Sequence, residues 1–301
     1  MSSSQLTLRL GTRGSRLATM QSQLIADALM QAHPGLKVQT LLIQTTGDRV
    51  QGQPLNEIGG KGLFTKELEQ ALLANKIDFA VHSFKDVPIT MPLIDVSDLV
   101  IAATPAREDV RDVLVGAARI GDLAKGSRVG TGSLRRRCQL LDQRPDLDVQ
   151  MIRGNVDTRL RKQREGQIDA VILALAGLKR SHLYDESQMT PIGLEQMLPA
   201  AGQGALAIQC RRADSAIQQV LGVLNDPATA ACVDLEREVV RQLNGDCHSP
   251  IAALATTTAQ ELHLRVAVGQ RDGSPPVKRA EARGLDASSV LAQVMQQLSS
   301  Q

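Results

Sequence analysis

The sequence has very few aromatic side chains. Its 301 residues include no tryptophan, one tyrosine and three phenylalanines. Proteins that bind single-stranded nucleic acid stack bases on aromatic rings, and duplex binders usually present a recognition helix or arm. Because the most basic stretch of the chain holds no aromatic residue and neither feature is evident, we expect no nucleic-acid partner.

Cysteine is also scarce, and the four cysteines are far apart: Cys138, Cys210, Cys232 and Cys247. None forms a C-x-x-C pair, which argues against a metal site or a disulfide framework and for a reducing compartment. No stretch approaches the roughly 20 apolar residues of a membrane span. The segment MSSSQLTLRL has neither a basic region nor an apolar core, so we expect no signal peptide and a cytoplasmic protein without membrane contact.

Arginine, in contrast, is concentrated in one segment of the chain. The formal net charge is +2, but residues 128–164 contain nine arginines and one lysine against four aspartates, an excess of six positive charges. Such a segment in a near-neutral protein indicates an anionic partner. A solvated basic face is the simpler alternative unless the arginines fall at the ends of strands and helices.

Strand and helix patterns alternate through the first two thirds of the chain. The predicted strands are Leu6–Leu10, Lys37–Thr45, Asp78–Ser83, Arg128–Thr131, Val149–Arg153, Ala170–Ala174 and Ala205–Cys210. The predicted helices between them include Leu17–Ala32, Leu63–Asn75 and Asn155–Arg164. This alternation predicts α/β lobes with parallel or mixed sheets. Two similar openings, GTRGS and GTGSLR, indicate two lobes of similar architecture.

The last eighty residues have a different pattern. A helix over Pro227–Leu243 precedes two strand-like runs, Ile251–Thr257 and Leu262–Val268, and a helix near Ala287–Leu298. We therefore predict three domains: residues 1–104 with 200–222, residues 105–199, and a small α+β domain over 223–301.

Two predicted loops lead into helices and carry arginines. The N–H groups at a helix N-terminus suit a carboxylate or phosphate. Ser15 and Ser133 are, taken singly, ordinary N-caps. Arg13 lies inside the first loop, and Arg135 and Arg136 lie in the first turn after the second. Because cations there oppose the helix dipole, a bound anion explains them best.

The same arrangement recurs further along, with Arg153 at a strand end and Arg159 one turn into the next helix. An arginine fork pairs a carboxylate through two hydrogen bonds, as lysine cannot. Phosphate is the alternative anion, but the chain has no Walker loop, and residues 59–62 (GGKG) lack its spacing. The pattern predicts a small molecule that bears several carboxylates.

Two further segments carry candidate chemistry. Asp86 follows the third predicted strand, with Lys85 beside it, and ligands gather at the carboxyl ends of such strands. There Asp86 could stabilise a cation or move a proton, although an aspartate before Val-Pro is commonly a turn residue. His82 is most simply a core residue. Cys247 lies on a Gly/Pro loop and is the candidate reactive thiol, whereas the other cysteines fall in apolar segments.

Eight segments together resemble the porphobilinogen deaminase family. They occur in that family's order: GTRGSRLA, GGKGLFTKELE, AVHSFKDVP, GTGSLRRRCQL, RGNVDTRL, LALAGLKR, LPAAGQGALAIQCR and GDCHSPIA. The resemblance implies two lobes like type II periplasmic binding proteins plus a small α+β C-terminal domain. It also implies a transferase of tetrapyrrole (heme and porphyrin) biosynthesis. Such an enzyme joins four porphobilinogen molecules head to tail, releases ammonia, and builds hydroxymethylbilane on a covalently bound dipyrromethane.

The resemblance assigns roles to particular residues. Cys247 would carry the dipyrromethane cofactor through a thioether, and Asp86 and Lys85 would be catalytic. The other cofactor-binding residues would be Ser83, Lys85, Thr131, Ser133, Arg135, Arg136 and Gln203. The substrate-binding residues would be Arg13, Ser15, Lys61, Arg153, Arg159 and Arg180. We expect a monomer with no metal.

The chain departs from the family before the loop cysteine, where Asp246 stands in place of the more usual glycine. A carboxylate beside a thiol disfavours the thiolate, so we expect slower cofactor loading unless nearby lysines or arginines, or His248, offset this effect. Arg16, Met20 and Phe84 also replace common family residues. The alternative hypothesis is a two-lobed module that binds a polycarboxylate small molecule. It explains the arginines equally well but leaves Cys247 and the Lys85–Asp86 pair without a role.

Overall fold

A computed structural model describes residues 6–45, 65–89, 97–246, 248–258 and 261–301. Its strands are β1 (Thr7–Thr12), β2 (Lys37–Leu42), β3 (Phe79–Ser83), β4 (Leu99–Ala103), β5 (Asp112–Val115), β6 (Arg128–Thr131), β7 (Asp148–Met151), β8 (Ala170–Ala174), β9 (Met189–Pro191), β10 (Leu206–Arg211), β11 (Ile251–Thr257), β12 (Leu262–Val268) and β13 (Lys278–Gly284). Its α-helices are α1 (Arg16–Ala32), α2 (Lys66–Leu73), α3 (Leu134–Gln143), α4 (Val156–Arg164), α5 (Leu175–Arg180), α6 (Ser215–Gly222), α7 (Pro227–Gln242) and α8 (Ala287–Ser299).

The chain divides into two compact units. One comprises Met1–Arg107 with Ala205–Ala230, and the other comprises Glu108–Gly204 with Ala231–Gln301. The chain passes from one unit to the other near residues 107 and 204, close to the predicted ends of the first two domains. The predicted three-domain division stays a prediction, because the second unit holds both the second predicted lobe and the C-terminal segment.

The first unit is built on a mixed sheet. Among the described residues its strand order is β2-β1-β3-β10-β4, with β1 parallel to β2 and β3 and with β10 antiparallel to β3 and β4. Helix α1 begins after its N-cap Ser15 and buries Ile25 and Leu29 against the sheet. These side chains meet Leu10 and Phe79 in the main core of this unit. Because β1 and β3 are parallel, their carboxyl ends share one edge of the sheet.

The second unit repeats this plan. Its larger sheet has the order β7-β6-β8-β5-β9 in the described part of the chain, with β6 parallel to β7 and β8, and with β5 antiparallel to β8 and β9. A glycine stands beside the last residue of β1 in the first sheet and of β6 in the second. A side chain at Gly11 would overlap Ile77, and one at Gly130 would overlap Ile168. The similarity of GTRGS and GTGSLR therefore reflects the same close packing in two similar sheets.

The C-terminal segment adds a small antiparallel sheet, β11-β12-β13, to the second unit. Helix α8 packs against β12 and β13. On β11 and β12, Ala252, Leu254 and Ala267 pack instead against Leu198. The predicted α/β lobes and the separate α+β segment are confirmed.

Several details differ from the sequence predictions. Strands β4, β5, β9 and β13 and helices α5 and α6 were not predicted. Strand β13 reads KRAEARG, in which small alanines are the buried positions, and alanine has low strand propensity. The helix predicted to end at Asn75 ends at Leu73, because Asn75 adopts a left-handed conformation with φ 54°. The polar run predicted as a loop over residues 47–62 lies outside the described residues.

Candidate active site

A cleft opens at the edge of the first sheet where β1 and β3 end. The side chains that line it include Arg13, Ser15, Gln21, His82, Ser83 and Asp86. They come together because parallel strands place their carboxyl ends at one edge. The cleft therefore combines a guanidinium, a carboxylate and several hydroxyl and amide groups.

Asp86 is exposed at this edge because its neighbours are anchored. The residues Phe84–Asp86 form a single 3-10 turn after β3. Phe84 and Val87 are buried, and the Phe84 N–H donates to the Ala205 carbonyl at 3.0 Å. Lys85 is half-buried. The turn thus holds the backbone in place and leaves the Asp86 carboxylate facing the cleft.

The two serines at the starts of α1 and α3 differ in whether the side chain caps the helix. The Ser15 hydroxyl accepts a hydrogen bond from the Ala18 N–H at 3.4 Å, as an N-cap does. Ser133 occupies the N-cap position of α3 without a side-chain cap bond, and its N–H donates to Thr131 Oγ1 at 3.2 Å. The capping explanation therefore holds for Ser15, and the Ser133 hydroxyl is not used in this way.

His82 lies beneath the cleft in a short chain of buried polar groups. Its Nε2 is 2.9 Å from Gln209 Oε1, and Gln209 Nε2 donates to Glu69 Oε1 at 3.4 Å. Burial lowers the pKa of His82 to about 4 and raises the pKa of Glu69. Because Gln209 presents its oxygen, the neutral ring carries its proton on Nε2. His82 is therefore a buried neutral group, as the sequence indicated.

A cluster of buried charged side chains lies in the second unit. Arg135 Nη1 and Arg136 Nη2 donate to the two carboxylate oxygens of Asp112, each at 2.8 Å, and Gln203 Nε2 donates to the same carboxylate at 2.8 Å. Asp112 is 0% exposed, and the two arginines are 3% and 5% exposed. Burial acts to raise the pKa of Asp112, but the two guanidiniums outweigh it and hold that pKa below its usual range.

Asp112 was not predicted as a site residue. The sequence argument explained cations in the first turn of α3 by a bound anion, whereas the fold supplies a protein carboxylate beside them. The available signal was an acidic residue at the start of an apolar segment, DVLV, because a buried charge there needs a partner. One carboxylate offsets only one of the two guanidinium charges.

The remaining predicted arginines lie near the ends of β7, β8 and α5. Arg153 is half-buried just beyond β7, and the guanidinium of Arg159 on α4 lies beside Gly132. Arg159 Nε donates to the Gly154 carbonyl at 2.8 Å. Arg180 Nη2 donates to the Gly204 carbonyl at 2.7 Å, and burial lowers the pKa of Arg180. The second unit thus gathers several guanidiniums at the edge where its parallel strands end.

Lys61 and Cys247 lie outside the described residues. The loop around the cysteine is described on both sides of it. The Asp246 carboxylate accepts the His248 N–H at 2.9 Å and the Ser249 hydroxyl at 3.1 Å, which closes a tight turn. Asp246 therefore has a local structural role in this loop.

Two features are absent from the described residues. No group of three His, Cys, Asp or Glu side chains in that part of the chain could hold a metal ion. No helix within the same residues is both long and apolar enough to cross a bilayer.

The fold and these side chains define an α/β enzyme in which each unit carries arginines suited to a polycarboxylate ligand, and the cleft of the first unit also carries an exposed carboxylate. Two sequence models match the chain: "Porphobilinogen deaminase, dipyromethane cofactor binding domain" over residues 8–219, and "Porphobilinogen deaminase, C-terminal domain" over residues 230–298. The chain belongs to the porphobilinogen deaminase family. It is a transferase of tetrapyrrole biosynthesis that polymerises porphobilinogen onto a dipyrromethane cofactor.

Relatives support this membership along the whole chain. The porphobilinogen deaminase of Sorangium cellulosum is 49% identical over 279 residues, which are 92% of this chain and 91% of the relative. That of Syntrophotalea carbinolica is 44% identical over 301 residues, covering 97% and 93% of the two chains. These relatives favour the enzyme over the binding module.

Solved structures of solute-binding proteins are more distant. The methionine-binding protein MetQ covers 77% of this chain and 94% of its own, with a TM-score of 0.46 and 10% identity. A Coxiella burnetii periplasmic substrate-binding protein covers 74% of this chain and 94% of its own, with a TM-score of 0.45 and 13% identity.

Proposed function

We propose that Asp86 is the acid–base residue of the polymerisation and that Lys85 assists it. The observation that carries this proposal is the exposed Asp86 carboxylate in a cleft that also holds Arg13 and Ser15. In each addition the C–N bond of porphobilinogen breaks, ammonia leaves, and a C–C bond to a pyrrole forms. The pyrrole then loses the proton that balances the departing ammonia. Asp86 stabilises the cationic pyrrole species and carries that proton.

We propose that the arginines of both units bind the acetate and propionate groups of the pyrroles. In the first unit these groups meet Arg13, Ser15 and Lys61. In the second they meet Arg153, Arg159 and Arg180, which are at or near the sheet edge. Guanidinium forks suit carboxylates because they donate two parallel hydrogen bonds.

We propose that the cofactor is bound by Ser83, Lys85, Thr131, Ser133, Arg135, Arg136 and Gln203. The residues fit a carboxylate-bearing group, because the buried cluster of two arginines and Asp112 keeps one net positive charge. When bound, the dipyrromethane supplies the pyrrole end onto which porphobilinogen is joined.

We propose that Cys247 holds this cofactor through a thioether. Burial raises the pKa of Cys138 and of Cys210 to about 11, which makes both thiols poor nucleophiles. Cys232 is also buried. Cys247, on a Gly/Pro loop, is therefore the best candidate for the attachment.

Intact-protein mass spectrometry tests this attachment. We expect the purified protein to be heavier than its sequence by one dipyrromethane, and Cys247→Ser to remove both the extra mass and the activity. Peptide mapping should place the added mass on the peptide that contains Cys247. An unmodified mass together with full deaminase activity would refute the thioether.

We further propose that the enzyme acts as a monomer in the cytoplasm. The buried cysteines Cys138 and Cys210 form no disulfide, as is usual in proteins of reducing compartments. Light scattering on the eluted protein should give the mass of one chain, and a dimer mass would contradict the monomer.

A further inference from the structure

Asp112 accepts hydrogen bonds from both buried arginines of the second unit and holds them in place. It stands at the start of β5, and its two carboxylate oxygens each receive one guanidinium, at 2.8 Å from Arg135 Nη1 and from Arg136 Nη2. Gln203 donates to the same oxygen as Arg136 and also to the Val110 carbonyl at 2.7 Å. A single carboxylate therefore fixes three side chains that are proposed to bind the cofactor.

The protein satisfies other donors of the two guanidiniums with backbone carbonyls. Arg135 Nη1 also donates to the Leu198 carbonyl at 2.6 Å, and Arg136 Nη1 donates to the Ile172 carbonyl at 2.8 Å. These bonds orient the arginines but do not cancel charge. In the part of the chain that the structure describes, the buried Nε atoms of both arginines have no acceptor.

The charge balance of the cluster is therefore one carboxylate against two guanidiniums. Both guanidiniums are almost fully buried, where charges are screened weakly and attract an anion strongly. They also lie in the first turn of α3, where the helix dipole already favours an anion. Two carboxylates would leave no net attraction, and none would leave two buried charges without a partner.

We propose that Asp112 is a positioning residue of the polymerisation, which orients Arg135 and Arg136 and leaves the cluster with one positive charge, matched to one carboxylate group of the cofactor. This inference rests on the proposed function, because it takes the two arginines to bind the dipyrromethane. It adds a charge requirement: the cluster retains the cofactor well only at a net charge of +1.

The first experiment compares cofactor loading in Asp112→Asn with the wild-type protein by intact mass. The matched control is Asp109→Asn, since Asp109 lies three residues earlier and pairs with Arg111 at 2.7 Å on a more exposed site. We expect the loaded fraction to fall by roughly tenfold or more in Asp112→Asn, the loss from one charged pair, and to stay unchanged in the control. Full loading in Asp112→Asn would overturn the inference.

A second measurement separates charge from packing. In Asp112→Asn the cluster carries two uncompensated charges, so added sulfate should raise its melting temperature more than it raises that of the wild-type protein or of Asp109→Asn. Sodium chloride at the same ionic strength serves as the reference. Equal responses of all three proteins to sulfate would assign Asp112 a packing role and overturn the inference.

Should Asp112→Asn fail to fold, the double variant Asp112→Asn/Arg136→Gln decides the question. It restores the net charge to +1 with one arginine and no carboxylate. We expect it to fold and to load more cofactor than Arg136→Gln alone, since the two changes compensate. No recovery in the double variant would contradict the charge requirement. A wild-type protein without the cofactor mass would instead refute the proposed function. That outcome differs from failure of the charge requirement, in which the wild-type protein carries the cofactor.

Discussion

Asp86 and Asp112 both lie at ends of strand segments, but the fold gives them opposite surroundings. Asp86 follows β3 on an anchored turn and is exposed, so its carboxylate can meet a reacting molecule. Asp112 is fully buried between two guanidiniums and stays ionised as their partner. The first is suited to exchanging protons with a ligand, and the second to orienting other side chains.

Replacing Asp86 tests its catalytic role. Asp86→Asn keeps the shape of the side chain but removes the charge that we propose stabilises a cationic pyrrole and the group that we propose carries the proton. We expect turnover to fall by about a hundredfold or more, the usual contribution of a positioned acid or base. Product formation by absorbance gives the rate, and intact mass checks that the cofactor is still bound.

The control for this variant is Asp98→Asn, which changes an exposed carboxylate of the same unit. Its turnover should equal that of the wild-type protein. Near-normal turnover of Asp86→Asn would remove Asp86 from the mechanism.

His82 gives a pH dependence of stability. Burial lowers its folded-state pKa to about 4, whereas an unfolded histidine titrates near 6.5. As the pH falls through this window, the unfolded chain binds a proton that the folded chain refuses, so stability decreases. The loss reaches at most about 3 kcal/mol below pH 4. We expect His82→Gln to lose less stability than the wild-type protein between pH 7 and pH 5.

Urea unfolding at both pH values measures this difference. His263→Gln is the control, since the His263 ring on β12 faces Glu281 near the surface. Its loss of stability with falling pH should follow the wild-type protein. Equal losses in His82→Gln and the wild-type protein would show that His82 is not held neutral.

At the scale of elements, the loops before α1 and α3 were predictable because their signals are local. Gly11 and Gly130 allow close packing, and the serines that follow occupy N-cap positions, so sequence patterns of five or six residues indicate both turns. Strand β13 has no such local signal, since its alternate buried residues are alanines. Its place comes from pairing with β12 and packing against α8.

The candidate site was likewise predictable only where its signals are local. Arg135 and Arg136 are recognisable from the first turn of α3, but their partner Asp112 lies more than twenty residues earlier on β5. The Gln203 contact with Asp112 spans 91 positions. Local patterns contain no information on such pairings, because these contacts form only when β5, α3 and the turn near Gln203 come together in the folded unit.

Helix α4 offers a test of the arginines at the sheet edge. Arg159 lies in its second turn and is directed towards Gly132 and the Gly154 carbonyl. Arg159→Leu removes a charge-assisted contact, so we expect slower additions, by roughly tenfold or more. Particular enzyme–substrate complexes should accumulate and be visible by native mass spectrometry. Arg153→Leu should also change the ladder of complexes.

The same helix provides the control. Arg161 is 67% exposed and pairs loosely with Glu165 at 3.8 Å, away from the proposed site. Arg161→Leu should leave the ladder of complexes as it is in the wild-type protein. If Arg159→Leu gave the same ladder of complexes as Arg161→Leu, the proposal that Arg159 binds the growing chain would be contradicted.

At the scale of the molecule, the C-terminal segment is joined firmly to the rest of the second unit. Glu236 on α7 is fully buried, and its carboxylate accepts the Gly202 N–H at 2.7 Å and the Ala255 N–H at 2.9 Å. It therefore links the turn that carries Gln203 to strand β11. Strand β11, most of helix α7 and the buried arginines therefore belong to one compact unit.

We expect the stability of the whole protein to depend on its cofactor, because we propose that the buried positive cluster binds it. Without a bound carboxylate, one guanidinium charge of the Arg135–Arg136–Asp112 group lacks a partner. We expect Cys247→Ser to melt at least roughly 2 °C below the loaded wild-type protein, since even about 1 kcal/mol shifts melting by that amount in a large domain. Wild-type protein produced without porphobilinogen should melt like Cys247→Ser, and sulfate should stabilise both more than the loaded enzyme. Equal melting temperatures for loaded and unloaded protein would show that the cluster is balanced without the cofactor.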